Sequence, residues 1–505
     1  MRGALRVLAS SWAGAAELGS KQGAKMVAEA ATRSFAAAAA PALSVSGVSG
    51  DAAGVLSAVE ALVARDGPAG PQDVSDAAVA LAYLGARGNR RLWGQVLEKA
   101  AAVGPSLDGP ALANLSWALS AANVNHGRTV AELAGPAAAA LKKLSPSQLS
   151  YIVEALGKSG AADVELFSAV ADVAEARAAE LKSADWARLL WGFGAAGVQD
   201  PKLIKSASAA LAKAGDLGGR EAAQALWGLA ALGRVPEAGL ASALGKALKA
   251  GVEAPADAAA AAWALATLGV RPDSGVAKAL GDKAKAGAAD LSAAQAAQGG
   301  WGLASLGDKD GATALLGAAA AAVAKDPTAL SPSGLALLHA GAVAAGGAGL
   351  PAAVADFAAK GFGLAVEHAR HVRGSAAAAF HAELAEAVAY ASGARHRPDV
   401  AAKVASFSSA APDGSSLDIV VPLDGAAKLA IIGVEAELLG SGGAVLGGSQ
   451  AVARVREAQG YKVVLVPQGG DWPSGGAVKA RAQAVLAAVK KAGLGAVADK
   501  LAKEL

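Results

Sequence analysis

A seven-residue signature recurs along this chain at nearly constant spacing, and no other feature restricts the fold as much. Trp191 opens W-G-F-G-A-A-G, Trp227 W-G-L-A-A-L-G, Trp263 W-A-L-A-T-L-G and Trp301 W-G-L-A-S-L-G. Weaker copies begin at Val79 (V-A-L-A-Y-L-G), Trp117 (W-A-L-S-A-A-N), Glu154 (E-A-L-G-K-S-G) and His339 (H-A-G-A-V-A-A). Successive anchors lie 38, 37, 37, 36, 36, 38 and 38 residues apart, which makes eight units in register. A period of this size marks a stacked helical array, because one unit cannot bury its apolar face alone.

Each unit reads as two helices. The first starts near a Ser, Asp or Pro signal, at Ser145–Pro146, Ser183, Asp290 and Ser331–Pro332. It ends at the glycine six places after the anchor, at Gly160, Gly197, Gly233, Gly269 and Gly307. Prolines 201, 236 and 272 follow closely, and the second helix runs through patterns such as Leu203 to Leu211 or Leu240 to Leu248. At about 100° per residue, the positions two and five away from the anchor share one side, holding Leu119, Leu149, Leu189, Leu229, Leu232, Leu265 and Leu303. That side is the expected buried stripe.

The anchor falls on the other side, together with the position three residues before it. The earlier position holds Asp76, Asn114, Tyr151, Arg188, Gln224, Ala260, Gln298 and Ala336. A varying, mostly polar position in a repeating frame is how one-base-per-repeat RNA readers are built, with Asn, Gln and Arg reaching base edges. Candidate RNA-binding residues are therefore Asn114, Tyr151, Arg188, Gln224 and Gln298, joined by the nearby cations Lys158 and Arg220. The anchor tryptophans are expected to pack repeats together more than to stack bases. Lys142, Lys143, Lys202, Lys205 and Lys213 thicken the basic charge of the central units.

Composition narrows the chemistry. Lys plus Arg total 46 against 43 for Asp plus Glu, a net charge of +3, so coating nucleic acid by charge alone is not expected. There is no cysteine, which removes disulfides, thiolate metal sites and cysteine nucleophiles. The six histidines include no zincin pair; His368 and His371 stand three apart with Ala369 and Arg370 between them. Aromatic residues are 4% of a chain that is 54% hydrophobic, so alanine sets the hydropathy and no membrane span is expected. No metal, cofactor or small-molecule substrate is expected.

The 36- to 38-residue period with L-W-G-L-A-x-L-G resembles the octotricopeptide repeat family of green-algal organelles, over about residues 66–365. The family's proline-rich ending is reduced here to isolated prolines. The resemblance implies an RNA-binding organellar factor acting in transcript maturation, stability, translation or ribosome assembly.

After Ala411 the texture changes to β-type runs at Asp418–Val421, Ala430–Val434 and Lys462–Val466. Helices are expected at Ser449–Gln459 and, as one closing helix, at Ala477–Leu505, giving a small α/β domain. The run R-V-R-E-A-Q-G-Y-K-V-V-L-V-P from Arg454 to Pro467, followed by Asp471-Trp472 and preceded by G-V-E-A-E at 433–437, is similar to the RAP domain. The resemblance implies a restriction-endonuclease-like fold, with Tyr461, Lys462 and Trp472 as fold residues or RNA contacts. Such a nuclease needs two carboxylates and a lysine. Asp418 and Glu435 supply carboxylates, but Glu437 stands where the lysine belongs and the family's Gly-Pro-Ser-His run is missing, so catalysis is not expected.

The expected architecture is thus an all-α solenoid of about eight 36- to 38-residue helix pairs, followed by a small restriction-endonuclease-like α/β domain. Its parts are an organellar targeting or flexible segment (1–50), the repeats (66–365), a helical cap and linker (366–412), the RAP-like domain (413–475) and a C-terminal helix (476–505). Arg2, Arg6, Lys21, Lys25 and Arg33, with Leu5, Leu8 and Trp12 on one helical face, favour a mitochondrial over a chloroplast address for the leader. Three functions fit. One is a mitochondrial ribosomal component that binds and stabilises rRNA beside ribosomal proteins; the others are a transcript-specific factor and a protein-interaction scaffold.

Overall fold

In the computed structural model the described residues are 52–65, 67, 69–83, 89–121, 135, 137, 138, 141–159, 163–347, 350–371, 375–392, 409–423, 427–440, 443–469, 472, 473 and 476–502. The leader (1–50), Gly160, Asp471 and the side chains of Lys142 and Lys158 lie outside them. Alanine-rich stretches between glycine and proline breaks fold as helices, as intrinsic propensity dictates. The chain forms two compact units that divide after Asp216.

In the first unit the described helices are α1 (Ala52–Ala64), α2 (Pro71–Tyr83), α3 (Arg90–Val103), α4 (Gly109–Ala121), α5 (Pro146–Ser159), α6 (Val164–Ala176), α7 (Ser183–Ala196) and α8 (Pro201–Lys213). Signature-bearing helices α2, α4, α5 and α7 pack side by side, while α1 meets α3 and α6 meets α8 in a second row. In the second unit α9 (Gly219–Ala231), α11 (Pro255–Leu268), α13 (Ala293–Leu306) and α15 (Pro332–Ala344) form the first row. Helices α10 (Ala238–Ala250), α12 (Ser274–Ala286), α14 (Lys309–Lys325) and α16 (Ala352–His371) form the second. Both arrangements are consistent with an α-solenoid.

The signature explains this packing residue by residue. The leucine stripe is buried throughout, from Leu189 and Leu303 at 0% exposure to Leu265 and Leu232 at 4%. The glycine after the anchor lets first helices touch at the backbone: a Cβ on Gly192 would meet the Val153 carbonyl oxygen at 2.7 Å, and one on Gly302 the Trp263 nitrogen at 2.5 Å. Helix ends follow the terminal glycines. Gly197, Gly233, Gly269 and Gly307 have φ of 68°, 65°, 67° and 91°. The next amide reaches back in each case, as Val198 N–H to the Phe193 carbonyl (3.0 Å) and Asp308 N–H to the Leu303 carbonyl (3.0 Å), which satisfies otherwise orphaned acceptors.

Two of the four helix starts shift. Ser145 and Ser331 cap α5 and α15, with Pro146 and Pro332 at the first helical position. Asp290 instead closes a 3-10 turn (Ala288–Asp290), and Ser292 caps α13 through a reciprocal pair with Gln295, which satisfies two amides at once. Ser183 is the first residue inside α7, whose preceding Lys182 amide is met by the Asp185 carboxylate at 3.1 Å.

The second unit continues through α17 (Ser375–Ala391) into small sheets. Strands β1 (Ser409–Ala410) and β2 (Ser416–Leu417) pair antiparallel. β3 (Ile419–Pro422) pairs antiparallel with β4 (Lys428–Val434), which pairs parallel with β5 (Tyr461–Pro467) through the crossover helix α18 (Gly447–Ala458). Central β4 is buried at six of seven positions because elements cover both its faces, which is why it reads as a continuous apolar run. One core joins Phe380, Leu384 and Val388 of α17 to Ile419, Ile431, Val464 and Val466 of the sheet and to Val485 and Val489 of α19 (Val478–Lys491). The single closing helix expected over Ala477–Leu505 is broken: Gly493, at φ 78°, turns the chain into a separate α20 (Gly495–Ala502), whose Ala498 and Leu501 return to that core. Among the described residues no helix is long and apolar enough to cross a membrane.

Candidate nucleic-acid interface

The anchor and the position three before it lie on one half-buried face of every first helix. Asp76, Asn114, Tyr151 and Arg188 in the first unit, and Gln224, Ala260, Gln298 and Ala336 in the second, are all partly exposed. Most anchors match them; Trp301, at 3% exposure, departs.

In the first unit this face is held by charge. The Arg188 guanidinium sits 4.0 Å from the centre of the Tyr151 ring, so candidate readers of adjacent repeats meet each other. The same side chain donates to Ser150 Oγ at 2.8 Å and pairs with Glu154 at 3.5 Å and Asp185 at 3.4 Å. Arg188 therefore braces one repeat to the next, with its charge balanced by two carboxylates. Asn114 remains half-buried on α4. Burial pushes the Asp76 carboxyl up to about 6, against a hydrogen bond from Gln72 Nε2 at 2.8 Å.

The clustered lysines lie elsewhere. Lys202, Lys205 and Lys213 are exposed on α8, a second-row helix, and Lys202 stands 4.0 Å from Asp172. Lys143 is exposed in a 3-10 turn. In the second unit Arg220 is exposed in the first turn of α9. Its charge partly offsets the burial that raises the Asp257 carboxyl on α11. Gln224 and Gln298 lie on the first-row face. The rings of Trp227 and Trp263 are 5.7 Å apart and tilted by 34°, so these anchors pack repeat against repeat.

Across the later repeats of this unit, the face carries another part of the chain. Ala451, Val452 and Val455 of α18 pack against Trp263, Ala266, Trp301, Ala336, Ala340 and Val343. The approach is close: a Cβ on Gly447 would lie 2.0 Å from the Ala266 carbonyl oxygen. Arg456, 1% exposed, bonds Asp413 and Ser415 and donates to Gln459 Oε1 at 2.9 Å. Burial alone would raise the Asp413 carboxyl. Hydrogen bonds from Ser415 and Gln459, with the Arg456 charge, hold it below the usual carboxylate range. Arg454 donates to Ser305 Oγ at 3.4 Å. Both arginines of the R-V-R run thus fasten α18 in place, which the sequence reading missed because Asp413 and Ser305 lie far away along the chain.

The remaining candidates occupy the α/β domain. Tyr461 is half-buried at the start of β5 and packs near Leu417 and Val420, while Lys462 beside it is exposed. Trp472 is 7% exposed, edge-on to Phe380 at 5.3 Å, and donates from Nε1 to Glu383 at 3.3 Å; its visible work is core packing.

Asp418 and Glu435 do converge, flanking the paired strands β3 and β4. His381 of α17 stands between them, its Nε2 2.8 Å from Glu435 and its Nδ1 3.8 Å from Asp418. Arg370 reaches Asp418 at 3.2 Å, and the Gly433 amide donates to it at 2.9 Å. The carboxylates are buried and engaged by an imidazole, a guanidinium and an amide. Among the described residues no group of three or more His, Asp or Glu side chains is arranged to hold a metal ion. No protein-family model and no curated protein matches the chain.

Proposed function

We propose that the chain is a non-catalytic, RNA-holding brace of an organellar ribonucleoprotein, most concretely a mitochondrial ribosomal component that stabilises rRNA. The carrying observation is the half-buried face of the first helices, where amide and aromatic side chains recur at repeat spacing. Such a face offers flat rings and amide groups to unpaired bases while keeping little surplus charge. In this reading the repeats are octotricopeptide-like and the C-terminal domain is a worn RAP module of restriction-endonuclease-like descent. The engagement of Asp418 and Glu435 by His381 and Arg370 supports binding over hydrolysis.

One observation favours a second reading, a protein-interaction scaffold: a helix already lies on this face in the later repeats. Sedimentation of the full chain in mitochondrial extract, with and without ribonuclease, separates the two. Migration with a ribosomal subunit and release by ribonuclease is expected. Migration free of any RNA-dependent particle overturns the proposal.

A further inference from the structure

Trp227 and Trp301 open nearly identical signatures, W-G-L-A-A-L-G and W-G-L-A-S-L-G, yet Trp227 is half-buried and Trp301 is 3% exposed. Trp301 is in a buried cluster with Ala451 and Val455 of α18 and Phe362 of α16, a cluster that does not include Trp227. From Trp263 to Val343 the face that elsewhere presents candidate readers is packed against Ala451, Val452 and Val455. We infer that the α/β domain is a built-in end-stop, so that within the second unit an RNA strand engages the Gln224–Trp227 stretch of α9 and not the face from Trp301 to His339. This inference rests on the RNA-holding reading above.

Three independent features make the contact a fixture. Its surfaces are shaped to touch: Gly447 lies where a Cβ would be 2.0 Å from the Ala266 carbonyl oxygen, and Gly363 of α16 where one would be 2.3 Å from the Asp413 carbonyl oxygen. It is locked by a fully buried guanidinium, since removing α18 takes Arg456 away from the Asp413 and Ser415 side of the domain or carries the whole domain with it. The reader position beneath it in the last repeat is apolar, with Ala336 of α15 in the covered cluster against Gln224 in α9, while Gln298 of α13 keeps a partly exposed amide. A base entering at Trp301 would have to strip these contacts. One entering at Gln224 meets a partly exposed amide.

The test is crosslinking of the full chain to a random-sequence single-stranded RNA pool containing 4-thiouridine, with crosslinked residues mapped by mass spectrometry. Crosslinks on α9 around Gln224 and Trp227, with none on Trp301 or His339, are expected. Crosslinks on Trp301 or His339 in the unaltered chain overturn the end-stop while leaving the RNA-holding reading intact. Absence of crosslinks on the first-row face altogether overturns that reading itself. In Arg456→Glu, hydrogen exchange should show α18 released, and crosslinks should then spread to Trp301. If the variant unfolds the α/β domain, the face is bared all the same and the spread is still required. Crosslinks that stay confined to α9 when α18 exchanges freely overturn the inference.

Discussion

Around Tyr151 and Arg188 the first-row face is joined by a stacked guanidinium and two carboxylates, open on one side to solvent. Around Trp263, Trp301 and Ala336 the corresponding positions are Ala260, Gln298 and Ala336, and Trp263, Trp301 and Ala336 pack against a helix from near the end of the same chain. The backbone is the same in both places, with leucines inward, glycine after the anchor and a glycine terminus. What differs is the partner of the outward face. A repeat frame therefore fixes where a side chain points, while its chemistry is set by what lies over it.

The sharpest way to break this contrast is to remove the lock on the covered region. Arg456→Ala leaves Asp413 buried without its charge partner, and losing one member of a buried pair costs about 3–5 kcal/mol. Urea denaturation with hydrogen exchange on α18 and β5 should show that loss in the second unit, while α5 and α7 keep their protection. Replacing both partners, Arg456→Met with Asp413→Leu, should recover a large part of it, since a well-packed apolar pair avoids the desolvation cost. If Arg456→Ala leaves α18 fully protected, the covered face is held by its apolar contacts alone.

The two regions also show what a sequence can reveal. Leucine stripe and glycine termini were legible because each follows from local helix geometry: Leu189, Leu229 and Leu303 are inward by periodicity alone. Arg188 shares a half-buried face with its anchor, as helix periodicity implies, but its pairing with Tyr151 required knowing how closely adjacent repeats pack. The burial of Trp301 by Val455 and its neighbours joins segments about 150 residues apart, and no periodic pattern encodes that. Asp418 and Glu435 were recognisable as a pair through their resemblance to a known module. His381 and Arg370, which engage them, come from helices earlier in the chain with nothing in spacing to announce it.

A second prediction concerns what the regions share. Gly192 and Gly302 each follow an anchor, and a Cβ on either would meet the neighbouring helix's backbone atoms at 2.7 Å or less. Gly192→Ala and Gly302→Ala should each cost about 1–3 kcal/mol, the usual effect of overpacking. Gly245 on second-row α10 has nothing within 4 Å of its would-be Cβ. There alanine should instead stabilise, by about 0.4–1 kcal/mol, by limiting the unfolded chain. Equal tolerance at all three sites in thermal unfolding would remove the idea that close first-row packing is common to both regions.

The smallest effect tests the open face through a single proton. Burial holds the Asp76 carboxyl at about 6 against an ordinary value of 3.8. The folded chain then binds the proton more tightly than the unfolded chain. Stability from this group is fully present below 3.8 and is lost as pH rises through about 6. At about 1.4 kcal/mol per unit the limit is near 3 kcal/mol, and partial exposure reduces the expected effect to roughly 1 kcal/mol. Asp76→Asn keeps a polar side chain beside Gln72 and cannot ionise, so α2 should exchange its amides more slowly than in the parent at neutral pH and equally at low pH. A variant whose protection changes with pH as the parent's does would show that Asp76 is solvated like any surface carboxylate. The open face would then be wetter than its half-buried side chains imply.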